Sequence, residues 1–101
     1  VSNHYFLSID QGTTSSRALI FDQNAKVVAQ SQRELTQCFP HDGWVEQDPG
    51  ELWETTLSCI KTTHLQSGLT PSDLCAVGIT NQRETTLVWE RWTGRPIYPA
   101  I

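Results

Sequence analysis

Apolar and polar positions alternate along the chain in blocks that read as a strand meander, a helix and a further strand. Tyr5–Ile9 is a short apolar run that stops at Asp10, the pattern of a buried strand. The small polar loop Gln11-Gly12-Thr13-Thr14-Ser15-Ser16 follows, and Arg17–Phe21 is apolar again. Asp22-Gln23-Asn24-Ala25 supplies turn residues, after which Lys26–Gln30 resumes an extended pattern around Val27 and Val28. Three strands joined by short turns predict an antiparallel meander.

The stretch from Phe39 to Pro49 carries Pro40, Gly43 and Pro49 and reads as a loop. Asp48-Pro49-Gly50-Glu51 then signals a helix start: Asp48 can cap, Pro49 suits the first helical position, and Glu51 can reach back as in a capping box. Trp53, Leu57, Ile60 and His64 follow helical spacing, with Leu52 and Cys59 beside them, and Gly68 is the terminator. Trp53 is expected in the core. Leu74–Thr80 predicts a buried strand reached through a helical crossover, and therefore parallel to an earlier strand. Thr85–Trp89 and Pro96–Ile101 predict two more extended stretches around the turn residues Thr93-Gly94. The predicted class is α/β: a mixed sheet made of an antiparallel meander plus a parallel strand reached through one helix.

Composition narrows the partners. The 101 residues suffice for one domain at most, and 38% hydrophobic with 18% charged residues is a globular balance. The net charge is −4, from 7 basic against 11 acidic residues, and the basic ones are scattered, which argues against nucleic-acid binding. The 3 cysteines lack CxxC spacing, which argues against a disulfide framework and a zinc site. Cys59 and Cys75 lie in apolar runs and are expected in the core. No apolar run reaches the ~20 residues of a membrane helix and no charged leader opens the chain, so the expectation is a cytoplasmic protein without membrane partners. None of His4, His41 and His64 pairs with a Cys or an acid at ligand spacing.

Two segments carry candidate chemistry. In the first, Asp10 ends a strand and Gly12, Thr13, Thr14 and Ser15 follow in a tight turn, with Arg17 nearby. Glycine permits close backbone approach, and amides and hydroxyls can donate to phosphate oxygens. Asp10 offers a hard oxygen to Mg²⁺ or its bound water. Neither GxxxxGK[ST] nor GxGxxG occurs, and the same residues also describe an ordinary hairpin turn. In the second, Asn81-Gln82-Arg83-Glu84-Thr85-Thr86 follows a strand end, where α/β sheets concentrate ligand-binding groups. Arg83 only donates and an ionised Glu84 only accepts, a pair matched to the hydroxyls of a vicinal polyol. A solvated turn with a weak ion pair is the plainer alternative.

IDQGTTSSRALIFD, FPHDGWVEQDP with the following LWETT, and GITNQRETTLVWERWTGRPIY together closely resemble the glycerol kinases, within the wider sugar-kinase family built on an actin-like, ribonuclease-H-like ATPase core. The resemblance runs in order from Tyr5 to Ile101. It implies ATP and Mg²⁺ as cofactors, glycerol as acceptor and a homo-oligomer for the full-length protein. Residue by residue, it implies Asp10 for the metal, Gly12, Thr13, Thr14, Ser15 and Arg17 for the ATP phosphates, and Arg83 and Glu84 for glycerol. Trp44, Val45, Glu46 and Asp48 match a recurrent segment whose expected role is structural, with Trp44 packed near the sheet. Family members are several times longer, so residues 1–101 are expected to be the N-terminal part of an incomplete ribonuclease-H-like domain. The resemblance places the catalytic base and adenosine pocket beyond Ile101. A kinase of this family for another polyol or sugar, or a non-catalytic truncated fragment, remain as alternatives. Trp92 and Pro99 depart from the family pattern away from both segments.

Overall fold

A computed structural model of the chain describes residues 4–101. The meander forms as the apolar blocks dictate, with β1 at Tyr5–Gln11, β2 at Ser15–Phe21 and β3 at Val27–Glu34. β1 and β2 pair antiparallel with Leu7 opposite Ile20 and Asp10 opposite Arg17. β2 and β3 pair antiparallel with an irregularity near Phe21. The turn between them is fastened by Asp22, whose side chain accepts from the amides of Asn24 at 2.8 Å and Lys26 at 3.0 Å.

Helix α1 spans Pro49–Ser67. Asp48 caps it by accepting from the Gly50 amide at 2.9 Å, and Pro49 stands where the missing N–H costs nothing. Gly68 ends it with φ 70°, a left-handed conformation that a side chain would strain. The expected reciprocal bond from Glu51 does not form. Its carboxylate instead accepts from the Thr36 amide, fastening the helix start to the segment that leaves β3.

The face that α1 buries is rotated from the expected stripe. Cys59 and Thr63 are buried, whereas Trp53 is 64% exposed. Small residues let the helix settle close on β2, where its side chains reach strand groups: Thr55 Oγ1 lies 2.9 Å from Ser16 Oγ, the Cys59 thiol donates to the Ser16 carbonyl at 3.3 Å, and Thr63 donates to the Ala18 carbonyl at 3.2 Å. Leu7, Ala18, Ile20 and Cys59 form the core, with Tyr5, Ile9, Ile60, Leu69 and Leu74 packed around it. A bulky Trp53 cannot enter so close an interface and faces outward. His64 is half-buried, and its Nε2 lies buried without a hydrogen-bond partner.

β4, Leu74–Thr80, pairs parallel with β1, giving the sheet order β3-β2-β1-β4. The crossover and its direction follow the expectation; burial does not. Val77 and Ile79 stand in register with the core residue Leu7 and with Ile9 beside the core, yet are 55% and 72% exposed. The reason is lateral: α1 packs over β2 and β3 and scarcely reaches β1, leaving β4 as an uncovered edge. Cys75 is exposed with it. We expect the 101-residue chain on its own to self-associate through this edge, and the Val77→Lys/Ile79→Lys double variant to sediment as a monomer with unchanged strand content. A parent that is monomeric and melts cooperatively at high temperature refutes this.

The segments Thr85–Trp89 and Pro96–Ile101 do face each other, but as a distorted hairpin held by isolated bonds rather than as regular strands. Thr86 and Ile101 exchange backbone bonds, the Ile97 amide donates to Val88, and the Glu90 amide donates to Arg95. Pro96 and Pro99 supply no amide hydrogens, which breaks the ladder. This hairpin is tied to the chain before α1 by the reciprocal pair Gln47 and Ala100, both bonds 2.8 Å.

Thiol chemistry reads out the packing. Cys38 and Cys75 are exposed, while Cys59 is 1% exposed and burial pushes its thiol pKa up. Titration of the native chain with a chromogenic disulfide should give two fast thiols and one that reacts only in denaturant. Three equal rates would contradict the placement of Cys59.

Candidate functional site

Because β1 and β4 run parallel, their C-terminal ends emerge at the same edge of the sheet, with Asp10 opposite Thr80. Both candidate segments begin there. Strand ends of this kind present the groups that bind ligands in α/β sheets.

The first segment is the β1–β2 hairpin. The Gly12 amide donates to the Ser15 carbonyl at 2.9 Å and closes the turn. A β-carbon on Gly12 would lie 3.2 Å from that carbonyl oxygen and within 4.0 Å of Asp10 Oδ1, so glycine keeps the space beside the carboxylate open. Thr13 and Thr14 are exposed at the tip. Ser15 Oγ accepts from Gln32 Nε2 at 2.9 Å, which orients the hydroxyl and leaves its proton to donate. Arg17 reaches Asp10 Oδ2 at 3.1 Å from the neighbouring strand; both side chains are partly exposed, and such a pair contributes ~0–1 kcal/mol.

A dedicated metal cage is not what these residues build. Among the described residues, no group of three or more His, Cys, Asp or Glu could hold an ion. One carboxylate beside a hydroxyl-rich turn does fit Mg²⁺ that arrives with a nucleotide, because that ion keeps its waters and phosphate oxygens as most of its ligands.

The second segment leaves β4 at Thr80. Arg83 and Glu84 are exposed in the turn, and with Thr13, Gln47, Gln82 and Thr85 they line a cavity of about 360 Å³. Thr13 of the hydroxyl loop and the Arg–Glu pair thus share one space. Asp10, Gly12, Thr14, Ser15 and Arg17, the other candidates on the hairpin, are not among the residues lining it.

On the far side of Glu84 opens an apolar hollow of about 800 Å³ walled by Trp44, Val45, Tyr98 and Ile101. Trp44, expected to pack near the sheet, is 52% exposed and meets His41 edge-on with centroids 4.9 Å apart. Its position follows from Gly43, which turns the chain with φ 79° just before it. Tyr98 donates to the Glu46 carboxylate, and that bond, with desolvation, raises the phenol pKa above its usual value.

Four residues at this place had not been marked from the sequence. Gln47 is 5% exposed and its Nε2 donates to the Thr13 carbonyl at 2.7 Å. Gln82 Nε2 donates to Gln47 Oε1 at 2.9 Å and to Gln11 Oε1 at 3.3 Å. The Thr85 hydroxyl donates to Gln82 Oε1. Gln11 and Gln82 lie inside the two marked segments but have no charge, and Gln47 sits in a segment read as structural. A buried glutamine in a polar loop is legible only once its partners are in place.

Comparison with known proteins identifies the family. Residues 5–101 match the FGGY family of carbohydrate kinases, N-terminal domain. The chain is 55% identical over 97 residues to a glycerol kinase of Rhizobium meliloti (strain 1021), covering 96% of this chain and 20% of the relative. It is 52% identical over 97 residues to glycerol kinase 2 of Thermotoga maritima, with the same coverage. Among solved structures, the Plasmodium falciparum glycerol kinase with ADP superposes with a TM-score of 0.84 at 34% identity, and the xylulose kinase of Rhodospirillum rubrum with 0.85 at 26%. Each superposition covers 96% of this chain and 20% of the other. The chain therefore spans about a fifth of the length of the relatives it matches. Its meander, helix α1 and parallel fourth strand are the opening of the ribonuclease-H-like core that these kinases share. With the match to the family's N-terminal-domain model running from Tyr5 to Ile101, the chain belongs to the FGGY family of carbohydrate kinases.

Proposed function

We propose that residues 1–101 are the N-terminal part of the first domain of a cytoplasmic, homo-oligomeric enzyme that transfers the γ-phosphoryl group of ATP to a hydroxyl of glycerol, giving glycerol 3-phosphate. The observation that carries the reading is the shared cavity: Thr13 of the hydroxyl-rich hairpin opens into the same space as Arg83 and Glu84. Identity above 50% to glycerol kinases of two bacteria, and a fold shared with a glycerol kinase holding ADP, support the same acceptor and donor.

In this reaction the acceptor oxygen attacks the γ-phosphorus, the bond to the bridging oxygen of ADP breaks, and the acceptor proton leaves to a base. The protein's work is positioning and charge neutralisation. Thr13, Thr14 and Ser15 bind the phosphates through hydroxyls and amides, Gly12 keeps the backbone open to their close approach, and Arg17 adds positive charge. Asp10 would hold Mg²⁺ through its waters; when bound, the ion screens the β- and γ-phosphate oxygens. Arg83 donates to one acceptor hydroxyl and Glu84 accepts from another, which fixes which oxygen faces the phosphorus. The base lies in the longer polypeptide.

A second acceptor class has one observation in its favour, the equally good superposition on a xylulose kinase. Steady-state assays of the full-length polypeptide with glycerol, xylulose and gluconate separate the two. Glycerol should give the highest kcat/KM; preference for xylulose or gluconate overturns the acceptor assignment. The 101-residue chain alone should show no turnover above background, and glycerol 3-phosphate formed by the purified chain would place the base within it.

A further inference from the structure

The β1–β4 ladder ends at the pair Asp10 and Thr80. Past that pair the two loops diverge, and side-chain amides join them across the gap. From the Thr13 carbonyl the connection runs to Gln47, then to Gln82, and from Gln82 to Gln11. We infer that Gln82 and Gln47 are positioning residues that set the distance between the phosphate-binding hairpin and the acceptor-binding turn.

The chemistry of the amide explains why glutamine stands at both places. Gln47 uses its N–H₂ on a backbone carbonyl and its oxygen on Gln82. Gln82 donates through its nitrogen to two oxygens and accepts from the Thr85 hydroxyl through its own oxygen. A glutamate would present an oxygen to Gln47 Oε1 and Gln11 Oε1, where only a donor satisfies both, and a methionine would fill the space without either function. Gln47 is 5% exposed, so loss of its partners would leave a largely buried amide under-satisfied.

Gln82 is also the residue next to Arg83, and Gln11 the residue next to Asp10. A shift of either amide therefore moves a neighbouring group proposed to touch a reactant. Phosphoryl transfer depends on near-linear placement of attacking oxygen, phosphorus and leaving oxygen, and a displacement of about 1 Å can cost on the order of 100-fold in rate. Substrate affinity, set by the hairpin and by Arg83–Glu84 separately, is less sensitive to their mutual distance.

This inference rests on the phosphoryl-transfer reading. Its test uses the full-length enzyme, with the parent's preferred polyol established first. Gln82→Met and Gln47→Met should each lower kcat at least about tenfold while both substrate KM values stay within about threefold. The double variant should be no slower than the slower single, because the two residues act as one unit. ATP hydrolysed without phosphorylated product should rise as a fraction of turnover. Thr85→Val, which removes only the hydroxyl that donates to Gln82, should shift the same quantities in the same direction and serves if a methionine variant fails to fold. Unchanged kcat, a KM rise matching the kcat loss, or independent multiplicative effects would overturn the positioning role. If the parent prefers another polyol, the glycerol assignment alone falls; if it phosphorylates none, both readings fall.

Discussion

Replacing Asp10 by alanine in the full-length enzyme should lower kcat about 10- to 100-fold, or ~1.4–2.7 kcal/mol, and leave the glycerol KM within about threefold. The carboxylate stands on the hairpin, away from the cavity lined by Arg83 and Glu84. Its proposed role is to hold water-coordinated Mg²⁺ against the phosphates, an interaction strengthened as charge shifts during transfer. Stability is a useful control. Asp10 meets Arg17 in a partly exposed pair, so its loss should cost no more than ~1 kcal/mol of folding free energy. Unchanged kcat with a raised glycerol KM would move Asp10 to the acceptor side.

The other large effect should come from the acceptor turn. Glu84→Gln keeps the shape but exchanges one acceptor oxygen for a donor, and Arg83→Ala removes the donor fork. Each should cost ~1.5–3 kcal/mol in kcat/KM for glycerol, roughly 10- to 150-fold, the range for hydrogen bonds to a charged group. A site shaped for hydroxyls leaves its own polar groups unpaired when the match is lost. The KM for MgATP should change little, because the phosphate hairpin is a separate segment. Kinetics with each substrate varied in turn decide the matter, and glycerol kcat/KM within about twofold of the parent in both variants removes the turn from the acceptor site.

The elements that a local pattern can specify were legible in the sequence. Asp48-Pro49 and Gly68 marked both ends of α1 because caps are short-range chemistry. Apolar blocks with turn residues between them gave the meander, and the crossover gave the direction of β4. Whether a residue is covered depends instead on which neighbour lies above it. Val77 and Ile79 have the composition of a buried strand but occupy an edge that α1 does not reach. Trp53 has the spacing of a core residue but lies outside an interface sized for Thr and Cys. At the site, charged and hydroxyl residues announced themselves, while Gln47 and Gln82 act through partners distant in sequence and gave no local signal.

The contact between Gln82 and Gln11 spans 71 positions of sequence, whereas the meander and its turns are local. Closing so long a loop costs chain entropy that the local meander does not, so local elements are expected to order before this contact. The three-stranded meander should form first, α1 should dock on β2 next, and β4 should add last along β1. Native-state opening should run in reverse. Amide exchange in β4 and the turn after it should then proceed by a cheaper partial opening than exchange in β1 and β2, where the core lies. The acceptor turn could therefore detach from the phosphate hairpin while the rest of the domain stays folded, making the integrity of the site a separate and smaller quantity than the stability of the chain.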